Sequence, residues 1–305
     1  MKLGFIFSGQ GAQKVGMGKD LFEASEAAKS VFTKADEVLG WSVSELCFDG
    51  PAEKLTESKY CQPAIYTMSV ACLAAFKEKF GDVEPVAAGG LSLGEFAALT
   101  AAEVLTFEEG LALVAKRGEL MDAACKNTNG GMASVLGGDL DVIKEVCKEC
   151  DIDVANYNCP GQVVISGEKE KVDKAVEELK AQGLKRVIPL TVAGAYHSRL
   201  MAEAGEQLKS VLDGIEFSEP KTKLMQNYPG KAVADTAEIK SNLVQQVAGS
   251  VRWEECLREM ISEGVDTVVE FGPGNVLTGL AKRTDRSLKL FNVNSVDSLA
   301  KIELD

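Results

Sequence analysis

The stretch that most constrains this chain is Val86-Ala-Ala-Gly-Gly-Leu-Ser-Leu-Gly-Glu95, which runs into Phe96-Ala-Ala-Leu-Thr-Ala-Ala-Glu103. A short apolar run cut off by two glycines, followed by an Ala/Leu-rich run, predicts a strand, an abrupt turn and a helix. Inside the turn, Gly90-Leu-Ser-Leu-Gly94 has the form G-x-S-x-G of a nucleophile elbow. The chain reverses so tightly there that a Cβ on either side would collide, and the serine oxygen is pushed out where it can react. The amides of the helix N-terminus behind it face any oxyanion formed at an attacked carbonyl. The competing reading is a glycine-bounded turn with an incidental serine, and the strand before and helix after it favour the elbow.

A serine hydroxyl is a poor nucleophile until a base takes its proton, and the usual base is an imidazole. The chain holds one histidine, His197, in Ala193-Gly-Ala-Tyr-His-Ser198 at the mouth of a helix. It is therefore the expected partner of Ser92, against the alternative of a satisfied core histidine. Arg117 lies in a helix predicted over Phe107 to Ala124, with Leu113, Val114 and Met121 as neighbours, and Arg117 and Met121 share a face. A half-buried, unpaired guanidinium recognises a carboxylate by two parallel hydrogen bonds, which points to an acyl group with a free acid at its far end.

Taken in order, Lys2 to Phe7 reads as a buried first strand ending at Ser8-Gly-Gln-Gly-Ala-Gln13. Neither phosphate fingerprint fits there: Lys14 stands where G-x-G-x-x-G needs its third glycine, and Asp20 follows Gly18-Lys19 where a P-loop needs Ser or Thr. The amide of Gln10, at the carboxyl end of a strand, is instead placed to face a site. Asp20 to about Phe80 reads as helical, with Pro51 and Pro63 as punctuation and Gln62-Pro-Ala-Ile-Tyr66 opening a long apolar helix. After the linker Asn127-Thr-Asn-Gly-Gly131 the pattern becomes strand, helix, two strands, helix, strand up to about Thr191, the order of a ferredoxin-like motif. Residues 128–191 thus read as a module inserted into a larger α/β domain made of residues 1–127 and 192–305. Beyond it, helices are expected over Arg199 to Leu212, Ile239 to Val247 and Trp253 to Ser262, and strands over Lys223 to Asn227 and Val265 to Phe271. The residues after Asn294 read as an acidic helix or tail.

The totals bound the remaining possibilities. The chain has 305 residues, 46% of them hydrophobic, enough for a full core. No signal peptide or uncharged membrane-length segment is visible, so a cytoplasmic location is expected. A net charge of −13 opposes contact with nucleic acid or anionic lipid, and an anionic partner needs a local basic patch. The eight cysteines are expected as free buried thiols. Cys147 and Cys150 have metal-like spacing, but there is no second pair and a single histidine, so no metal site is expected.

Taken together these residues resemble the malonyl-CoA:acyl carrier protein transacylases of bacterial fatty-acid synthesis. The resemblance runs nearly end to end, through Gly9-Gln-Gly-Ala-Gln13, Gln62-Pro-Ala64, Gly90-Leu-Ser-Leu-Gly-Glu95, Lys116-Arg-Gly118, Asn158-Cys-Pro-Gly-Gln-Val-Val-Ile-Ser-Gly167, Tyr196-His-Ser198 and Gly272-Pro-Gly-Asn-Val-Leu-Thr-Gly279. It implies an α/β-hydrolase-like core with the ferredoxin-like insert, and transfer of malonyl from malonyl-CoA to the phosphopantetheine thiol of acyl carrier protein without a cofactor. It also implies Ser92 as nucleophile, His197 as general base and acid, and the amides of Gln10 and Leu93 as oxyanion hole. Arg117 becomes the anchor of the malonyl carboxylate, with Met121, Gln162 and Gln246 as further substrate-site residues and the Gln246 carbonyl holding the second histidine nitrogen. The chain departs from the family at Leu91, where a histidine is usual, at Ser8, where proline is usual, and at Tyr196, where phenylalanine is frequent. Two other readings of the same residues are a serine hydrolase or thioesterase, and a non-catalytic subunit that binds the carrier protein.

Overall fold

A computed structural model describes residues 1–304. The larger of two sheets has six strands: β1 (Leu3–Phe7), β2 (Ala87–Gly90), β7 (Lys223–Gln226), β8 (Lys231–Val233), β9 (Thr267–Phe271) and β10 (Lys289–Val293), in the order β10-β9-β1-β2-β7-β8. The first five in that order run parallel and β8 returns antiparallel to β7. β1 is buried at all five residues because it has parallel neighbours on both edges and helices on both faces. Phe5, Phe76 and Phe271 pack edge-on with ring centroids 4.9 to 5.6 Å apart and lock the long helix Ser58–Phe80 onto the sheet. That helix is apolar all round and buried along most of its length, sandwiched by the helices Glu26–Leu39 and Phe107–Asn127. It begins at Ser58, one turn before the expected Gln62-Pro63 start, and carries Pro63 inside it. Glu57 accepts from Tyr60 and Cys61, so the first turn closes ahead of the proline.

The smaller sheet has β3 (Gly130–Leu136), β4 (Asp153–Cys159), β5 (Gln162–Glu168) and β6 (Val187–Pro189) in the order β4-β5-β3-β6, all antiparallel. With the helices Leu140–Glu149 and Lys169–Ala181 between its strands, this is the ferredoxin-like order. Its core is separate from that of the large sheet, built on Val135, Ile143, Ile165, Val172 and Leu179. Main-chain hydrogen bonds from Tyr157 to the Val251 carbonyl (2.9 Å) and from Val251 to the Ala155 carbonyl (2.8 Å) stitch it to the large domain. Two strands escape the sequence pattern. β8 has three residues at the sheet edge, and β10 is only partly buried over most of its length, so neither shows a clean alternation.

Candidate active site

Adjacent strands β1, β2 and β7 end side by side, and each is followed by a residue of one cluster: Gln10, Ser92 and Asn227. This is the edge where open parallel sheets place their sites. The elbow itself is sterically enforced. A Cβ on Gly90 would lie 2.0 Å from the Gly94 carbonyl carbon, and one on Gly94 would lie 2.0 Å from the Phe7 oxygen. Ser92 sits between them at φ 54°, a left-handed conformation that side chains rarely adopt. Asn227 clamps the turn: its Oδ1 accepts from the Ser92 amide at 2.6 Å and its Nδ2 donates to the Gly90 carbonyl at 2.8 Å.

His197, also in a left-handed conformation at φ 57°, brings Nε2 to 2.7 Å from Ser92 Oγ. Its Nδ1 lies 2.8 Å from the Gln246 main-chain carbonyl. A carbonyl only accepts, so Nδ1 carries the proton and Nε2 presents a lone pair to the serine hydroxyl. The ring is buried, and burial together with the Arg117 charge pushes its pKa down to about 4, against the Gln246 carbonyl that favours the charged ring. It is therefore neutral and ready to accept a proton at ordinary pH.

Arg117 is more enclosed than its sequence context suggests, at 1% exposure. Its Nη2 donates to Ser92 Oγ (3.0 Å) and to Gln246 Oε1 (3.0 Å), its Nη1 donates to Gln62 Oε1 (2.7 Å), and its plane covers Phe96 at 5.3 Å. The buried Nε has no hydrogen-bond partner, and the hydrogen bonds of the two terminal nitrogens all go to neutral oxygens. Burial lowers its pKa to about 10, which leaves it charged at neutral pH. A buried cation whose direct polar contacts are all neutral oxygens, with the Glu95 carboxylate acting on it only across the Gln246 amide, is a site for an incoming carboxylate. Met121 shares its face of the helix, with Gln62 Nε2 3.5 Å from the sulfur.

The side chain of Gln10 donates to Ser58 Oγ (3.2 Å) and to the Tyr196 hydroxyl (3.4 Å), which fixes the loop after β1. Neither the Gln10 amide nor the Leu93 amide makes a hydrogen bond to another group among the described residues. The arrangement of activated serine, imidazole, free amides and buried cation fits acyl transfer.

Comparison with known proteins agrees with this chemistry. The family described as "Acyl transferase domain" matches residues 4–303. The malonyl CoA-acyl carrier protein transacylase of Bacillus subtilis (strain 168) is 42% identical over 303 residues, covering 98% of this chain and 95% of its own. The chain belongs to the malonyl-CoA:acyl carrier protein transacylase family. Among solved members, the transacylase of Clostridium perfringens superposes with a TM-score of 0.94 at 38% identity, covering 99% of this chain and 96% of its own. A malonyl-transacylase in complex with a type II PKS acyl-carrier protein reaches 0.95 at 38% identity, with 98% of each chain covered.

Of the residues expected at the site, His197, Arg117 and Gln246 contact Ser92 directly, Leu93 follows it in the chain, and Gln10 accepts from Gln62, which Arg117 also contacts. Met121 joins them through Gln62. Gln162 makes no hydrogen bond to them among the described residues: its Oε1 accepts from Arg283 Nη1 at 2.8 Å. Leu91, beside the nucleophile, packs its side chain over Gly9. Sequence reasoning left four contributors without a role. Gln62 was part of a quoted motif, Asn227 ends a strand at the functional edge, and Glu95 is a lone charge in an Ala/Leu helix. Ser58 carries no local signal at all.

Proposed function

We propose that this protein transfers malonyl from malonyl-CoA to acyl carrier protein through a malonyl-Ser92 intermediate. The observation that carries the reading is the meeting at one oxygen: Ser92 Oγ lies 2.7 Å from the His197 base and 3.0 Å from the Arg117 fork. In the first half-reaction His197 Nε2 takes the Ser92 proton as Oγ attacks the thioester carbonyl. The oxyanion is received by the Gln10 and Leu93 amides, and the proton passes to the departing CoA sulfur. In the second, the phosphopantetheine thiol gives its proton to His197 and its sulfur attacks the serine ester, regenerating Ser92. Arg117 turns from Ser92 Oγ to the malonyl carboxylate, with its unpartnered Nε available to complete a two-point contact. Ser92 is 8% exposed, which limits competing hydrolysis of the ester. Each role is filled by a side chain or amide of this chain, so the proposed chemistry calls for no cofactor.

An acidic carrier approaching a chain of net charge −13 needs a basic landing place. Lys282, Arg283 and Arg286 line one surface hollow with Pro160 and Gly279, and Lys185 and Arg186 line another. We assign the dock to these cations. The eight cysteines are unpaired thiols, which supports a cytoplasmic setting. No helix among the described residues is long and apolar enough to cross a membrane. Incubation with malonyl-CoA and carrier protein bearing its free phosphopantetheine thiol is the test. Malonyl-carrier as the main product supports the transferase, and free malonate as the main product supports a hydrolase instead.

A further inference from the structure

Beneath the reacting pair lies a buried carboxylate that the mechanism above does not use. Glu95 stands in the first turn of the helix Gly94–Ala101 and is fully buried. Its Oε1 accepts from Gln226 Nε2 at 3.1 Å, and its Oε2 accepts from the Asn227 amide at 2.8 Å and Gln246 Nε2 at 3.0 Å. All three neighbours are donors. An ionised carboxylate satisfies every one, whereas a protonated one sets an O–H against N–H groups. The titratable groups that face it are Arg117, from the helix Phe107–Asn127, and the thiol of Cys256, from the helix Trp253–Ser262. Burial pushes its pKa up to about 7, opposed by the three hydrogen bonds and the Arg117 charge.

Gln246 links this carboxylate to the chemistry. Its amide nitrogen donates to Glu95 and to the Ser92 carbonyl, both at 3.0 Å, which aims the amide oxygen at Arg117. A flipped amide would place NH2 against the guanidinium, so an acceptor at Glu95 excludes the flip. The main-chain carbonyl of the same residue holds His197. Through Asn227, whose amide Glu95 accepts, the carboxylate also supports the clamp on the Ser92 turn.

We infer that Glu95 is a positioning residue for acyl transfer: ionised, it fixes the Gln246 amide, hence the Arg117 fork and the His197 ring, and protonation releases that hold. The inference rests on the transacylase reading. The working form is the deprotonated one, so activity falls as pH drops through the titration of Glu95 near neutrality. His197, held at about 4, titrates further into acid.

The test compares kcat/KM for malonyl-CoA and acetyl-CoA in wild type, Glu95→Gln and Glu95→Asp, with the malonyl-Ser92 adduct followed by intact mass. Wild type should lose about tenfold in malonyl kcat/KM between about pH 8 and about pH 6, approaching the level of Glu95→Gln. At about pH 8, Glu95→Gln should be about tenfold slower with malonyl-CoA, less affected with acetyl-CoA, and flat through neutrality. A neutral-range limb that persists in Glu95→Gln, or a uniform loss with the malonyl:acetyl ratio unchanged, overturns the inference. If Glu95→Gln does not fold, Glu95→Asp decides, because its shorter arm should move the limb by about half a pH unit or more. An unmoved limb overturns it. A wild type that forms no Ser92 adduct at any pH removes the transacylase reading and this inference with it, and is distinguished from the other failures by that missing adduct.

Discussion

The two sheets of this molecule solve the burial problem in opposite ways. In the four-stranded unit, the buried core is built from aliphatic side chains and the thiols of Cys147 and Cys150, and charged side chains such as Lys169, Lys171 and Asp173 sit on the surface in ion pairs. In the six-stranded unit, Glu95, Arg117, Asp122, His197 and Glu270 are all buried. No carboxylate, guanidinium or imidazole is buried between Gly130 and Pro189. Burying a charge costs stability unless hydrogen bonds replace its water, and the large domain spends many amides on that replacement. The difference teaches where the chemistry is. The small domain is a packed wall, and the large domain gives up packing freedom to hold a cation and a neutral imidazole against one hydroxyl.

Substitutions in the two regions should separate these roles. The largest effect is expected for His197→Ala, with kcat lowered about a thousandfold while the fold persists, checked by steady-state transfer assays beside circular dichroism. Arg117→Ala should lower kcat/KM for malonyl-CoA about a hundredfold or more and change acetyl-CoA by much less. Equal losses for both acyl groups would break the anchor assignment. In the small domain, Ile165→Ala, at a fully buried strand position, should cost about 2–5 kcal/mol in denaturant unfolding and leave the malonyl:acetyl ratio alone. Smallest of all, Lys169→Ala removes an exposed i,i+4 pair with Asp173 and should shift stability by less than about 0.5 kcal/mol. A change of acyl preference from either small-domain substitution would erase the contrast between the units.

What was legible in the sequence followed local rules. The elbow is dictated by glycines that no Cβ could replace, and the ferredoxin-like insert by strands and helices long enough to show their periods. β8 and β10 were not legible, being a three-residue edge and a half-exposed strand. Pro63 misled the helix start because a closed first turn precedes it. Ser92, His197 and Arg117 were found by their chemistry, whereas Glu95, Asn227 and Ser58 act through partners more than a hundred residues away. Gln162, assigned from a motif, accepts from Arg283, and only the packing of Val276–Thr284 beside β4 reveals that. Polar burial of this kind is a property of the assembled fold and leaves little trace in local pattern.

The most direct test of the account is intact mass followed by peptide mapping after brief exposure to malonyl-CoA. One malonyl group on Ser92 in wild type, and none on Ser92→Ala, is the expected result. A malonyl group on another residue, or no adduct on a folded wild type, would contradict it.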